Sequence, residues 1–257
     1  MNSIEKDKML KEKFNGVFVS EFGKTAPEKT KLVVFDFDET LVQSKDVFHN
    51  INTEAMKRLN LNSDNDLASN IFVKFDKEYV GWGKDLEEQK QIYYSQYQPM
   101  ITKVSNEEEF INQMKFYDGM KEVIKILAKT DIALAIASSR DLTSILKFLR
   151  KEGVKHCFEM IEATEGGLNY PDKPHPQIVN YISQELGIDL KNSVMIGDSP
   201  CDIRMGKNAG MKTIGIGYGK FSTREKLEKE NPDRIVESSE PMSLIFNIQS
   251  LLDSKSR

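Results

Sequence analysis

The order of apolar and polar positions divides the chain into unlike stretches. Leu32 to Phe35 is a continuous apolar run, β-branched in its middle, that stops abruptly at Asp36 and Asp38, with Thr40 two residues further on. Such a run suits a strand buried on both faces of a parallel sheet. Ligands bind outside the carboxyl ends of such strands, so the two acids stand where a site would be. Taken alone, the stretch reads equally well as a solvated turn, where aspartate is common.

After it the period becomes helical. Val47, Ile51, Ala55 and Leu59 recur every fourth residue, as do Leu67, Ile71, Phe75 and Tyr79. Gly81-Trp82-Gly83 breaks the pattern, a third helix is expected from near Asp85 to just before Pro99, and Ser105 with Glu108 forms a capping box for a fourth. Residues 46–117 therefore read as an all-helical insert with almost no strand signal. From Tyr117-Asp118-Gly119 onward, strands and helices alternate, which implies βαβ units. The expected strands are Ile132–Ala137, Phe158–Ile161, Ser193–Ile196, Thr213–Ile216 and Arg234–Val236, with helices between them and one at the C-terminus. Gly153 and Gly187 fall where helices should end. The fold class is thus α/β. A Rossmann-like parallel core spans 31–45 and 118–257, a helical cap spans 46–117, and 1–30 is an N-terminal extension. That extension offers a short amphipathic helix over Ile4–Phe14 and an extended segment over Gly16–Phe22.

Composition narrows the function without naming it. At 257 residues with 39% hydrophobic and 30% charged content, the chain is long enough for one α/β domain plus an insert. A net charge of −4 gives no sign of nucleic-acid or anionic-membrane binding. No apolar run approaches the roughly 20 residues that span a bilayer. The charged stretch Met1–Lys13 lacks the apolar core of a secretory signal. With only Cys157 and Cys201, neither a disulfide framework nor a zinc cluster is indicated, so a cytoplasmic setting is expected. Cys157, beside His156, reads as a buried cysteine, and His175 as a residue at a helix start.

The chemistry lies in what the strand ends bring together. Asp36, Asp38 and Thr40 follow the first strand, Ser138-Ser139 the second, and Asp198 and Asp202 a later one, with Lys173 on a loop between. A parallel sheet gathers all of these on one edge. Three buried acids at strand ends are costly without a cation, and oxygen ligands of this kind suit Mg²⁺. The hydroxyls and the ammonium suit phosphate oxygens. A carboxylate beside the metal can attack phosphorus.

In order and context these segments resemble the four motifs of the haloacid dehalogenase-like superfamily: Asp36-Phe-Asp38-Glu-Thr40, Ser138, Lys173 in Lys-Pro-His-Pro, and Gly197-Asp-Ser-x-x-Asp202. A helical insert between the first two motifs resembles the cap of the phosphoglycolate phosphatase-like branch. The resemblance implies Asp36 as nucleophile and metal ligand. It implies Asp38 as general acid and base, with its main-chain carbonyl on the metal. Thr40, Ser138 and Ser139 would hold the phosphoryl group, and Lys173 would offset charge on that group and on Asp36. Asp198 would complete the metal set, with Asp202 behind it orienting Lys173 or a metal-bound water. The implied activity is that of a Mg²⁺-dependent phosphatase working on a small phosphorylated metabolite, as a monomer or weak homodimer. A phosphomutase of the β-phosphoglucomutase type and a non-catalytic phospho-ligand binder are the alternatives.

Two positions are open at this level. Glu39 stands where the family most often has glycine, so either the turn avoids positive φ or its geometry differs; its carboxylate could face solvent or join the acidic cluster. The Gly81–Lys84 segment reads either as a loop dipping into the site, with Lys84 meeting a second anionic group, or as a turn between helices with a core tryptophan.

Overall fold

The computed structural model describes residues 29–62, 64, 67–69, 79–165 and 170–253. The expected helix at Ile4–Phe14, the segment at Gly16–Phe22 and most of the run from Leu67 to Tyr79 lie outside them. Six parallel strands form the core sheet in the order β5-β4-β1-β6-β7-β8. They are β1 (Lys31–Phe35), β4 (Ile132–Asp141), β5 (Met160–Glu165), β6 (Ser193–Gly197), β7 (Lys212–Ile216) and β8 (Arg234–Val236). The chain begins in the middle and winds first one way and then the other, so the switch lies between β4 and β6, on either side of β1. That is where an open α/β sheet leaves a crevice.

The apolar run of β1 is buried on both sides for a simple reason: alternate residues feed two cores. Val33 and Phe35 join α5 (Met120–Leu127), α6 (Leu142–Lys151) and α10 (Pro241–Leu252). Leu32 and Val34 join α7 (Gln177–Leu186) and α8 (Pro200–Asn208). A short α9 (Arg224–Lys229) covers β7 on the way to β8. Gly153 and Gly187 both take the left-handed conformation, Gly187 as the C-cap of α7, as the helix-stop reading expects.

The helical insert leaves and re-enters the core through a neck that the sequence pattern did not reveal. Val42–Gln43 (β2) pairs antiparallel with Lys115–Phe116 (β3). Two residues per strand are too few to show a period of two. Between them run α1 (Lys45–Arg58), α2 (Leu86–Ile92), α3 (Gln98–Ser105) and α4 (Glu108–Gln113). The third expected helix does not stop before Pro99. A wide turn of the π type, Tyr93–Tyr97, joins α2 to α3, and Pro99 follows it directly in the first turn of α3. The expected capping box at Ser105 does not form either: Ser105 closes α3, with its Oγ donating to Thr102 O at 3.0 Å, and Glu107 precedes α4. In the helical insert Ile51, Met56, Trp82, Tyr97 and Ile101 are buried in the same apolar cluster as Val33 and Phe35 of β1. No helix among the described residues is long and apolar enough to cross a membrane.

Candidate active site

The ends of β1 and β6, the loop before α7 and the start of α8 contribute the groups, and the backbone fixes where each lands. Asp36 follows β1 directly, and its N–H donates to Ile196 O at 2.8 Å, so its side chain leaves the sheet level with the end of β6. Asp198 follows β6. Gly197 has no alternative, since a Cβ there would lie 2.3 Å from Asp202 Cβ. Lys173 arrives on the loop before α7, with the Lys173–Pro174 bond cis.

These groups meet. Lys173 Nζ donates to Asp36 Oδ1 at 2.6 Å and to Asp202 Oδ1 at 2.8 Å, and its side chain is only 7% exposed. Asp202 Oδ2 accepts from the N–H and hydroxyl of Ser199, at 3.1 and 2.6 Å, in the capping box of α8. Asp202 therefore stands beside Lys173, one oxygen on the ammonium and the other held by Ser199. Carboxylate oxygens of Asp36, Asp198 and Asp202 lie within 4.8 Å of one another. Asp198 Oδ2 is buried with no hydrogen-bond partner, a costly state for a carboxylate oxygen unless a cation takes it up.

The electrostatics agree. Burial pushes Asp36 up, Lys173 pulls it back, and Asp202 and Asp38 push again, leaving it at about 7. Asp198 is driven well above the usual carboxylate range by burial first, then by Asp36, Asp202 and Glu39. Burial alone would lower Lys173, but the charges of Asp202 and Asp36 more than reverse that. The acids thus outweigh the one ammonium among them, a balance a divalent cation would correct. The residues fit Mg²⁺ on their chemistry: all donors are hard oxygens, and Asp36 and Asp198 each have an oxygen that Lys173 does not occupy.

Thr40 is fully buried with its Oγ1 unpartnered, and Ser138, 1% exposed, accepts the Arg140 N–H at 3.1 Å. Ser139 is exposed. Lys84 is not brought to the cluster. It stands exposed on the cap, its backbone N–H donates to Glu88 Oε2 at 2.8 Å, and it forms no hydrogen bond or ion pair with the site residues. Trp82 is buried, with its ring 4.8 Å from that of Tyr97 and its Nε1–H donating to Asn62 O. His175 lies at the start of α7, where its ring Nδ1 accepts the Gln177 N–H at 3.3 Å.

Two residues at the site carried no signal from which sequence could assign a role. Arg140 forks onto Asp38: its Nε donates to Oδ1 and Oδ2 at 2.9 and 3.0 Å, and its second guanidinium nitrogen donates to Oδ1 at 2.8 Å. Its guanidinium also lies over Phe37 and over Phe48 of α1, at 5.9 and 5.4 Å. With 2% of the Arg140 side chain exposed and 15% of Asp38, this is an almost buried pair. Removing one partner of such a pair costs about 3–5 kcal/mol when both are dry. Asp38 keeps some water, so Arg140→Met is expected to lose about 2–3 kcal/mol in urea unfolding; unchanged unfolding would show that the fork contributes nothing.

The second is Glu39. The backbone keeps the positive φ of a glycine position, +55°, at a cost of about 1–2 kcal/mol for a non-glycine residue. Its carboxylate does not face solvent. It is fully buried and accepts from the N–H groups of Ser44 and Lys45, each at 2.7 Å, the Tyr117 hydroxyl at 2.6 Å and the Lys220 N–H at 2.9 Å.

Residues 33–216 match the family described as "Haloacid dehalogenase-like hydrolase". The chain belongs to this family. Among its relatives, the putative pyrophosphatase PpaX of Clostridium perfringens is 27% identical over 86% of this chain and 98% of its own length. The phosphoglycolate phosphatase of Haemophilus influenzae is 30% identical over 49% of this chain. There the chain spans only 55% of the relative's length, and several other matches are similarly partial, such as 53% for the PpaX of Bacillus pumilus. The crystal structure of a predicted phosphoglycolate phosphatase from Haemophilus somnus superposes with a TM-score of 0.63 at 24% identity, covering 87% of this chain and 100% of that one. That likeness concerns the fold.

Proposed function

We propose that this protein is a Mg²⁺-dependent phosphatase that hydrolyses a small phosphorylated metabolite through an aspartyl-phosphate on Asp36. One observation carries the reading. A buried lysine joins Asp36 to Asp202, while beside them Asp198 holds out a buried oxygen with no partner. A structural ion pair has no need of that third acid. The printed names of relatives, phosphoglycolate phosphatase and pyrophosphatase, support a small anionic phosphate compound as substrate.

In the proposed reaction an oxygen of Asp36 attacks phosphorus, and the bond from phosphorus to the substrate oxygen breaks. Asp38 gives its proton to that leaving oxygen, and then takes a proton from the water that attacks the phospho-aspartate, so phosphate leaves and Asp36 is restored. To act in this way Asp38 must free one oxygen from Arg140 and carry a proton there when substrate binds; the proton taken from the attacking water restores that state for the next turnover. Thr40 and Ser138 supply hydroxyls to the phosphoryl oxygens, and Lys173 neutralises charge that builds on them. Asp36, Asp198 and the main-chain carbonyl of Asp38 would hold Mg²⁺, which when bound supplies charge neutralisation at the phosphoryl oxygens. The cap, touching the core through Gln98 and Glu165 (3.1 Å) and through Asn106 and Asp141 (2.7 Å), would exclude bulk water and choose the substrate.

Phosphate release from a panel of sugar phosphates, phosphoglycolate, nucleotides, pyridoxal phosphate and pyrophosphate tests this directly. Release is expected with Mg²⁺ and should fall to background when EDTA removes it. A folded, Mg²⁺-binding protein that releases phosphate from none of them would overturn the proposal.

A further inference from the structure

The bonds made by Glu39 go to places that have one thing in common. Ser44 and Lys45 are where the chain crosses from core to cap, and Tyr117 is where it crosses back. Lys220 belongs to the loop after β7, a core element that neither crossing contains. Helix α1 begins at this point, yet its N-cap residue Ser44 makes no side-chain capping bond and its Oγ is buried without a partner. The first N–H groups of a helix have no acceptor inside it. Here Glu39 Oε1 supplies one, from five residues upstream and from within the core. Oε2 holds the return crossing and the loop.

That loop is itself pressed against the metal side of the site. A Cβ at Gly219 would lie 2.6 Å from Asp198 Cβ and 2.7 Å from the main-chain oxygen of Glu39. Tyr218 adds a hydroxyl bond to Thr40 O at 3.2 Å and packs its ring 4.7 Å from that of Tyr117. Lys45 Nζ reaches back to Lys220 O at 3.1 Å. Both crossings and the loop on Asp198 therefore converge on one carboxylate, which accepts four hydrogen bonds.

From this convergence we infer that Glu39 is the positioning residue of the cap: its carboxylate anchors both crossings and holds them in register with the loop that packs on Asp198. This use of the site rests on the phosphatase reading, whereas the anchoring itself does not. A glycine would satisfy the positive φ of the position and still lack the anchor, so the carboxylate rather than the backbone accounts for a glutamate here.

The test uses the full chain and two variants. Glu39→Gly keeps the backbone conformation and removes the carboxylate. Glu39→Gln can keep only one accepting oxygen. With that oxygen at the Oε1 place, the amide nitrogen takes the Oε2 place and faces one N–H, that of Lys220, because the Tyr117 hydroxyl can turn to accept; with the oxygen at the Oε2 place, the nitrogen faces two N–H groups, those of Ser44 and Lys45. Amide hydrogen exchange followed by mass spectrometry, with no substrate present, should show Ser44, Lys45 and Lys220 exchanging at least about tenfold faster in Glu39→Gly, with β1 and β6 unchanged. In Glu39→Gln only Lys220 should accelerate. Unchanged exchange at all three amides in Glu39→Gly would overturn the inference. If that variant loses protection throughout the core, Glu39→Gln decides: acceleration confined to Lys220 supports the anchor, and any other pattern refutes it. In turnover by Glu39→Gly, the best substrate of the panel should lose at least about tenfold in kcat/KM through KM, while p-nitrophenyl phosphate, a small substrate that depends less on the placement of the cap, should change less than about threefold. Equal losses on both would also refute it. A wild type without turnover, but with the expected exchange pattern, would instead refute the phosphatase reading and leave the anchor standing.

Discussion

Replacing Asp36 by Asn is expected to reduce phosphate release by at least about a thousandfold while leaving the fold in place, because the amide is no nucleophile. The two halves of this expectation come from different parts of the site. The asparagine side chain still offers Lys173 an oxygen where Asp36 Oδ1 now sits at 2.6 Å, so the strand end keeps its contact. The charge removed lay among Asp38, Asp198 and Asp202, so lost attraction to Lys173 is offset by lost repulsion. Thermal unfolding without metal should therefore shift by no more than a few degrees. Residual turnover near a tenth of wild type would remove Asp36 from the nucleophile's place.

Replacing Lys173 by Met should be costly in both respects. Its ammonium is buried between two carboxylates, at 2.6 and 2.8 Å, and a methionine leaves both without that partner. Breaking a buried pair in this way costs about 3–5 kcal/mol. Turnover should also fall by about a hundredfold or more, since charge on the phosphoryl oxygens loses its ammonium. The activity loss should persist at a temperature where the variant is fully folded, and Mg²⁺ should recover part of the stability, because it neutralises the same acids. Full turnover in a folded Lys173→Met protein would assign the lysine to stability alone.

The parts of this molecule that sequence reveals are those where a physical requirement recurs along the chain. β1 is legible because burial on two faces demands an unbroken apolar run, and the acids after it because polar groups at such a place need a purpose. The alternation from Met120 onward fixes the parallel sheet, and the positions of Lys173, Asp198 and Asp202 follow from it. Their meeting is observed here as two short hydrogen bonds and a shared acidic cluster. What sequence does not reveal depends on single contacts between distant segments. Arg140 lies 102 residues from Asp38, and nothing in its own neighbourhood marks it as that carboxylate's partner. Glu39 shows only as a departure from glycine, since the donors it accepts from are spread from Ser44 to Lys220. The neck is two residues wide, and the wide turn at Tyr93–Tyr97 keeps the apolar spacing of a helix while changing its path. Each is a matter of where backbone ends meet, which periodicity does not encode.

The proposed reaction requires a covalent bond between Asp36 and phosphorus. Wild-type protein with Mg²⁺ and the best substrate of the panel, quenched in acid during turnover and digested, should yield one phosphorylated peptide, the one carrying Asp36. The adduct should be absent when Mg²⁺ is withheld and in Asp36→Asn. Phosphate release with no adduct on that peptide, or with one on a different residue, would contradict it.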